Sequence, residues 1–229
     1  KNAETIATTL KAAGFNLNLA PVVDLNLNPD NPIIGKLGRS FSADPAVVTR
    51  HAAEVIRVHH ENGVLTTLKH FPGHGSSRED SHLGFVDVTD SWQEIELQPY
   101  KDLIAAGAVD AVMTAHIFNA KLDPELPATL SRRIITGLLR DQLGFDGVVI
   151  SDDMQMGAIA DNYGFEDAVV RALDAGVDVI AIANNLTFDP GIATRIIDLL
   201  AAAVADGRLS EARIDASYRR IMALKAKWM

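Results

Sequence analysis

The stretch Gly63-Val64-Leu65-Thr66-Thr67-Leu68-Lys69-His70-Phe71-Pro72-Gly73-His74-Gly75 hands a short apolar run to a loop of glycine and proline. The run Gly63 to Leu68 reads as a buried strand. Lys69 and His70 stand at its end, and Asp80-Ser81-His82 follows, so three histidines, a lysine and an aspartate fall within fourteen residues. Chemistry collects where a rigid strand passes into a loop. A second such handover, Val148-Val149-Ile150-Ser151-Asp152-Asp153, supplies two carboxylates. Together they suggest an imidazole and a carboxylate sharing one cleft.

Working outward, strands alternate with helices. The first residues read as a helix with Ile6 and Leu10 on one face, stopped at Gly14. Phe15 to Asp24 reads as a first strand, followed by a long loop, Asn26 to Asp44. Asp44-Pro45 marks a helix start, with Asp as N-cap and Pro in the first turn; Val48, Ala52, Val55, Ile56 and His59 recur at helical spacing up to Gly63. Val64 to His70 is the second strand. Ser91-x-x-Glu94 reads as a capping box opening a helix through Ile104. Val109 to His116 is the third strand, Ser131 starts a helix that ends at Gly144, and Gly147 to Asp152 is the fourth strand. Phe165 to Ala175 is a helix, Gly176 to Ala183 a fifth strand, Asp189-Pro190 the start of a helix to Asp206, and Ser210 the cap of the last helix. Five strand ends are polar: Asp24, Lys69-His70, His116, Asp152 and Asn184. Apolar strands alternating with helices mean a parallel sheet. A barrel with its site at the strand C-termini and a doubly wound sheet both fit.

The 229 residues allow one domain with a sizeable core, and 48% apolar content excludes disorder. Net charge is −9, with no basic patch for a phosphate backbone, so nucleic acid is not an expected partner. No apolar run reaches the ~18 residues of a membrane span. There is no cysteine, which excludes disulfides and thiolate metal sites. No leader is visible, although one could have been removed. A cytoplasmic location is the working expectation, with export left open.

Asp80, two residues before His82, can accept a hydrogen bond from one imidazole nitrogen and leave the other free to move a proton; a plain solvated loop gives the same triplet. Asp152, at the end of an apolar strand, can attack an electrophilic carbon; it could equally cap the next helix. Adjacent strand residues face opposite ways, so only one of Asp152 and Asp153 can enter the cleft. Arg39, in Gly38-Arg39-Ser40, can bind hydroxyls or organise its loop. His74, between two glycines, reads as a turn organiser, and His116 as a pocket wall or a core histidine. His51, His59 and His60 lie on a helix and read as structural. A metal would have to come from His70, His74, His82 and His116, which show no metal-binding spacing.

Lys69 to Gly75 followed by Asp80-Ser81-His82 resembles the signature of family 3 glycoside hydrolases, in the β-N-acetylhexosaminidase branch. Ala20-Pro21-Val22-Val23-Asp24, Gly38-Arg39-Ser40-Phe41 and Gly144 to Met154 agree with it. The resemblance implies an α/β fold of the TIM-type (β/α)8 barrel, here as a single catalytic domain over 1–229. It implies a retaining hydrolase that releases terminal β-linked N-acetylglucosamine, needing neither cofactor nor metal. Asp152 would be the nucleophile and His82 the acid/base, with Asp80 as its partner. Arg39, Lys69 and His70 would bind the sugar, and Asp24, His116, Met156 and Asn184 complete the candidate set. The partner would be a small carbohydrate, a muropeptide or chitin oligomer bearing N-acetylglucosamine, with a place in cell wall recycling. A β-glucosidase or β-xylosidase of the same family, or an incomplete sugar-binding fragment, is the alternative. The family's early Asp-Gln-Glu-Gly-Gly type segment is not found, so the chain is expected to lack the barrel's N-terminal strands. Its exposed edges would then favour self-association.

Overall fold

The strand–helix alternation becomes one parallel sheet in the computed structural model of the chain, which describes residues 1–185 and 188–227. Four strands lie in the order β1 (Leu17–Asn18), β2 (Leu65–Phe71), β3 (Ala111–Thr114) and β4 (Val148–Ile150). Leu17 pairs with Leu65, Thr67 with Ala111, and Ala111 with Val148. Side chains alternate across the sheet. Leu68, Val112 and Val149 face a main core with α2 (Pro45–Glu61), α3 (Gln98–Ala105), the π-helix Arg133–Gln142 and α5 (Phe165–Ala175). Ala111, Met113, Val148 and Ile150 face the other way, onto Ile221 and Leu224 of α7 (Glu211–Ala226). Helices therefore cover both faces. Among the described residues the sheet does not close, and β1 is paired on one side only.

The expected strands Val109 to His116 and Gly147 to Asp152 keep only Ala111–Thr114 and Val148–Ile150, and two others shrink further. Phe15 to Asp24 yields only β1 and an isolated bridge from Val22 to Lys69. Pro21 has no N–H to donate, although its carbonyl accepts from Lys69 N (3.2 Å) and Val23 N donates to Lys69 O (2.8 Å), so the chain still tracks β2. Gly176 to Ala183 yields one bridge, Ile150 to Val179. Here side chains take ladder positions: Asp178 Oδ2 accepts from Val149 N (3.0 Å) and Ser151 Oγ from Ala181 N (2.9 Å).

Helix starts follow their caps. Asp44 accepts from Ala46 N (2.8 Å) at α2, and Ser210 from Arg213 N (3.2 Å) at α7. The capping box lies two residues later than expected: Gln93 and Glu96 form it, and it opens a 3₁₀ turn, Glu94–Leu97, before α3. Ser131 Oγ accepts from Ile134 N (3.1 Å) where the next helix begins. Asp189 Oδ1 accepts from Gly191 N (2.8 Å), and the helix it introduces is α6, Ile192–Ala205. A further helix, α4 (Gly157–Tyr163), follows β4 directly, and α1 spans Asn2–Ala12. At the N-terminal end of β4, buried Asp178 receives Arg140 (2.7 Å), Arg213 (3.2 Å) and Ser217 (2.7 Å), which fastens α7 to the sheet.

Candidate active site

Asp24 lies at the floor, buried where the first segment runs beside the end of β2. Its Oδ2 is 2.7 Å from His70 Nδ1, and its Oδ1 accepts from the amides of His70 (3.2 Å) and His74 (2.8 Å). Burial pushes this carboxyl up, but His70 and His74 more than offset it, so its pKa lies below the ordinary value. With its Nδ1–H donated to Asp24, His70 has Nε2 as an acceptor, and Arg39 Nη2 reaches it at 3.3 Å. Arg39 is anchored in turn on Ile33 O (3.0 Å). Lys69 is half-buried, and its Nζ has no hydrogen-bond partner among the described residues. Burial, and Arg39 nearby, lower its pKa against the pull of Asp152 and Asp24.

The loop after β2 then carries the Asp-x-His pair outward. Asp80 Oδ1 accepts from His82 N (2.9 Å) and lies 2.7 Å from His82 Nδ1. The His82 side chain is 56% exposed, with Nε2 left open. Burial raises the Asp80 carboxyl, and the amide and ring of His82 outweigh it, so its pKa is lowered. Beneath this pair lies His74, buried, between Ser77 Oγ (2.6 Å, Nδ1) and Ser81 Oγ (3.2 Å, Nε2). Burial drives its pKa down to about 4, so the ring is neutral near pH 7. Glu96 completes the base: its carboxylate accepts from Gly75 N (3.0 Å) and Ser76 Oγ (2.6 Å). Burial, with Asp24 adding to it, pushes its pKa up to about 7 against those donors.

These two groups oppose each other in pH dependence. Glu96 binds its proton more tightly in the folded chain, so its contribution to stability falls as pH rises from about 4.5 towards about 7. His74 binds its proton more weakly when folded, so its contribution falls as pH drops from 6.5 towards about 4. Glu96→Gln removes the first effect alone. The stability of this variant relative to the parent is expected to rise by up to about 3 kcal/mol between pH 4.5 and 7. Urea unfolding of both proteins at pH 5 and pH 7 checks it; parallel pH slopes would refute the buried acid.

Asp152 enters from the end of β4. Its Oδ1 accepts from Asp153 N (2.9 Å), and its other oxygen has no hydrogen-bond partner among the described residues. Burial raises its carboxyl, and His116, His70, the Asp153 amide and Lys69 together outweigh it, so the pKa is lowered. Asp153 faces elsewhere, accepting from Gln155 N (3.1 Å) and Ala183 N (3.0 Å). Asp152 is therefore the member of the pair that meets the histidines. His116 Nε2 lies 3.0 Å from Asp153 O and donates there, while Nδ1 lies 2.7 Å from Thr129 Oγ1, whose hydroxyl donates to Ala115 O (2.9 Å). Burial lowers its pKa against the pull of Asp152, and it acts as a neutral wall.

The structure thus gathers Asp24, Arg39, Lys69, His70, His116 and Asp152, with Asp80 and His82 on the loop above. Met156 lies buried at the start of α4. Asn184 stands apart in use: its amide donates to Asp189 O (3.0 Å) and accepts from Asp189 N (2.9 Å), closing its own loop. Glu96 escaped the sequence reading because its burial leaves no local trace. Ser76, Ser77 and Ser81 escaped it because serines in a glycine-rich loop read as turn residues. Among the described residues no group of three His, Asp or Glu side chains is placed to hold a metal. Among the described residues no helix is long and apolar enough to cross a membrane. A cavity of about 610 Å³ lies at the opposite ends of the strands, by Asp110 and Gly147. Two of its cations, Arg220 and Lys227, are paired with Asp146 and Asp110.

Residues 1–224 match the sequence profile of the glycosyl hydrolase family 3 N terminal domain, a TIM-type barrel. The chain is 37% identical to β-hexosaminidase A of Pseudoalteromonas piscicida over 99% of its own length and 40% of that protein's. It is 42% identical to a β-hexosaminidase of Tolumonas auensis, over 79% of its own length and 53% of the relative's. It superposes with a TM-score of 0.91 and 43% identity on a family 3 β-N-acetylglucosaminidase from Paenibacillus sp., covering 99% of this chain and 42% of that one. The chain spans about half or less of these relatives. The matched profile covers nearly all of it, and the chain belongs to glycoside hydrolase family 3.

Proposed function

We propose that this chain carries the reacting groups of a retaining glycoside hydrolase that releases terminal β-linked N-acetylglucosamine. The observation that carries the reading is the His82–Asp80 bond, 2.7 Å at Nδ1, which leaves Nε2 of an exposed imidazole facing outward. The Asp152 carboxylate, held ionised at the end of β4, is the second reacting group. In the first half-reaction an Asp152 oxygen bonds to the anomeric carbon while the bond from that carbon to the leaving oxygen breaks. The His82 Nε2 proton passes to that oxygen. In the second, neutral His82 takes a proton from water, the water oxygen bonds to the same carbon, and the ester to Asp152 breaks, giving net retention. Asp80 keeps the Nδ1 proton in place throughout. Arg39, Lys69 and His70 are the groups proposed to hold the sugar hydroxyls. A muropeptide or chitin oligomer is the substrate class this reading favours.

The test is release of p-nitrophenol from aryl β-N-acetylglucosaminide, β-glucoside and β-xyloside, by the parent and by His82→Ala. Preference for the N-acetylglucosaminide is expected, with kcat/KM lowered about 10²- to 10⁴-fold in the variant. A variant as active as the parent would remove His82 from the reaction.

A further inference from the structure

The loop from His74 to His82 is fastened from two sides, and both fastenings meet at Ser81. Asp80 and His82 point outward, while Ser81 between them is buried. Its hydroxyl reaches inward to His74 Nε2 (3.2 Å). The His74 ring is neutral, so it has one donor and one acceptor. Ser77 Oγ, at 2.6 Å, occupies the other nitrogen and fixes the ring plane. The His74 amide donates to Asp24 (2.8 Å), the same carboxylate that holds the His70 amide and ring. On the opposite side, the carbonyls of Ser81 and His82 accept from Ala158 N (3.3 Å) and Gly157 N (3.4 Å) in the first turn of α4. That turn begins a few residues after Asp152. A side chain at Gly157 would put Cβ 3.2 Å from Leu83 C and 3.3 Å from His82 O, so the two backbones lie close together.

We infer that Ser81 is a positioning residue that registers the Asp80–His82 pair against both the floor holding His70 and the segment carrying Asp152. The inference rests on the proposed function, in which that pair moves the proton. One line of hydrogen bonds runs from His70 through Asp24 and His74 to Ser81. Backbone bonds then join the same loop to α4. Removing the Ser81 hydroxyl leaves the Asp80–His82 bond itself intact. It also strands a buried ring nitrogen and frees the loop on its inner side. The pair keeps its chemistry and loses its address.

The consequence depends on the leaving group, because a good leaving group departs without a proton. Ser81→Ala is expected to lower kcat/KM about ten- to a hundredfold for an alkyl β-N-acetylglucosaminide, and less than about threefold for the dinitrophenyl glycoside. Amide hydrogen exchange in a peptide covering 78–85 is expected to quicken about tenfold, with peptides from α2 and β4 unchanged. Equal losses on both substrates, or no loss, would reduce Ser81 to a packing residue and overturn the inference. Unchanged loop exchange would overturn it as well. If the parent turns over neither substrate, the proposed function fails, and the exchange measurement alone then decides the fastening. Ser81→Cys keeps the volume and weakens the bond, and it takes the place of the alanine variant should that protein not fold.

Discussion

Asp152→Asn is expected to lower kcat/KM on an aryl β-N-acetylglucosaminide by about 10⁴-fold or more, with the fold intact. The substitution keeps the shape of the side chain. The amide oxygen can still accept from Asp153 N, the one hydrogen bond the carboxylate makes among the described residues. What disappears is the negative charge, and with it the oxygen that would bond to the anomeric carbon. Single nucleophile replacements cost several powers of ten in other hydrolases because no neighbour takes over. No neighbour is available here either: Asp153 is turned towards Gln155 and Ala183, and Asp24 is engaged with His70 and His74. Steady-state kinetics give the loss, and mass spectrometry of a rapidly quenched reaction locates a glycosyl adduct within 148–156 in the parent. A variant retaining more than about 1% of parental turnover would assign the nucleophile elsewhere.

Gly75→Ala is expected to destabilise the chain by about 3 kcal/mol or more, or to prevent folding. A Cβ at this position would lie 1.7 Å from Leu25 O and 2.7 Å from Leu25 C. Both atoms are backbone, so no rotamer change relieves the contact. The residue cannot move away easily, because its N donates to Glu96 and its O accepts from Asn28 N (3.2 Å) and Asn31 Nδ2 (3.3 Å). Leu25 adjoins Asp24, so any displacement reaches the floor of the site. Gly84→Ala, in the same loop with open space around its Cβ, is the comparison and is expected to change stability by less than about 0.5 kcal/mol. Thermal unfolding of the two variants checks the contrast; equal stabilities would mean that the close approach to Leu25 is not a feature of the fold.

Where a local rule was sufficient, the sequence could be read directly. Asp44-Pro45 starts α2 because its cap and fixed φ act within one turn. The run from Val64 and the run from Val148 became β2 and β4 because short runs of β-branched and apolar residues behind a glycine leave few alternatives. The polar residues at their ends converge because parallel strands place all C-termini on one side. Other features depended on distant partners. The box at Gln93 and Glu96 competes with an equally good pattern two residues earlier, and burial of Glu96 under Gly75 decides between them. Helix α4 lacks a capping side chain at Met156 and breaks at Gly164, so it has no start signal. The fifth strand was shortened by Asp178 and Ser151 taking ladder bonds, which an apolar run cannot reveal. The choice between Asp152 and Asp153 required the loop at Ala183 to be in place.

The position of α7 has a consequence for how the chain reaches its folded state. Ala111, Met113, Val148 and Ile150 present one apolar surface, and their cover includes Ile221 and Leu224. During synthesis, β3 and β4 leave the ribosome long before that helix exists. Until it docks, this surface has water or another protein as its neighbour. Contacts between residues so distant in sequence form late and slowly. The nascent chain is therefore most prone to aggregate after β4 has emerged and before α7 has been made, and that interval is where a chaperone would have most to protect.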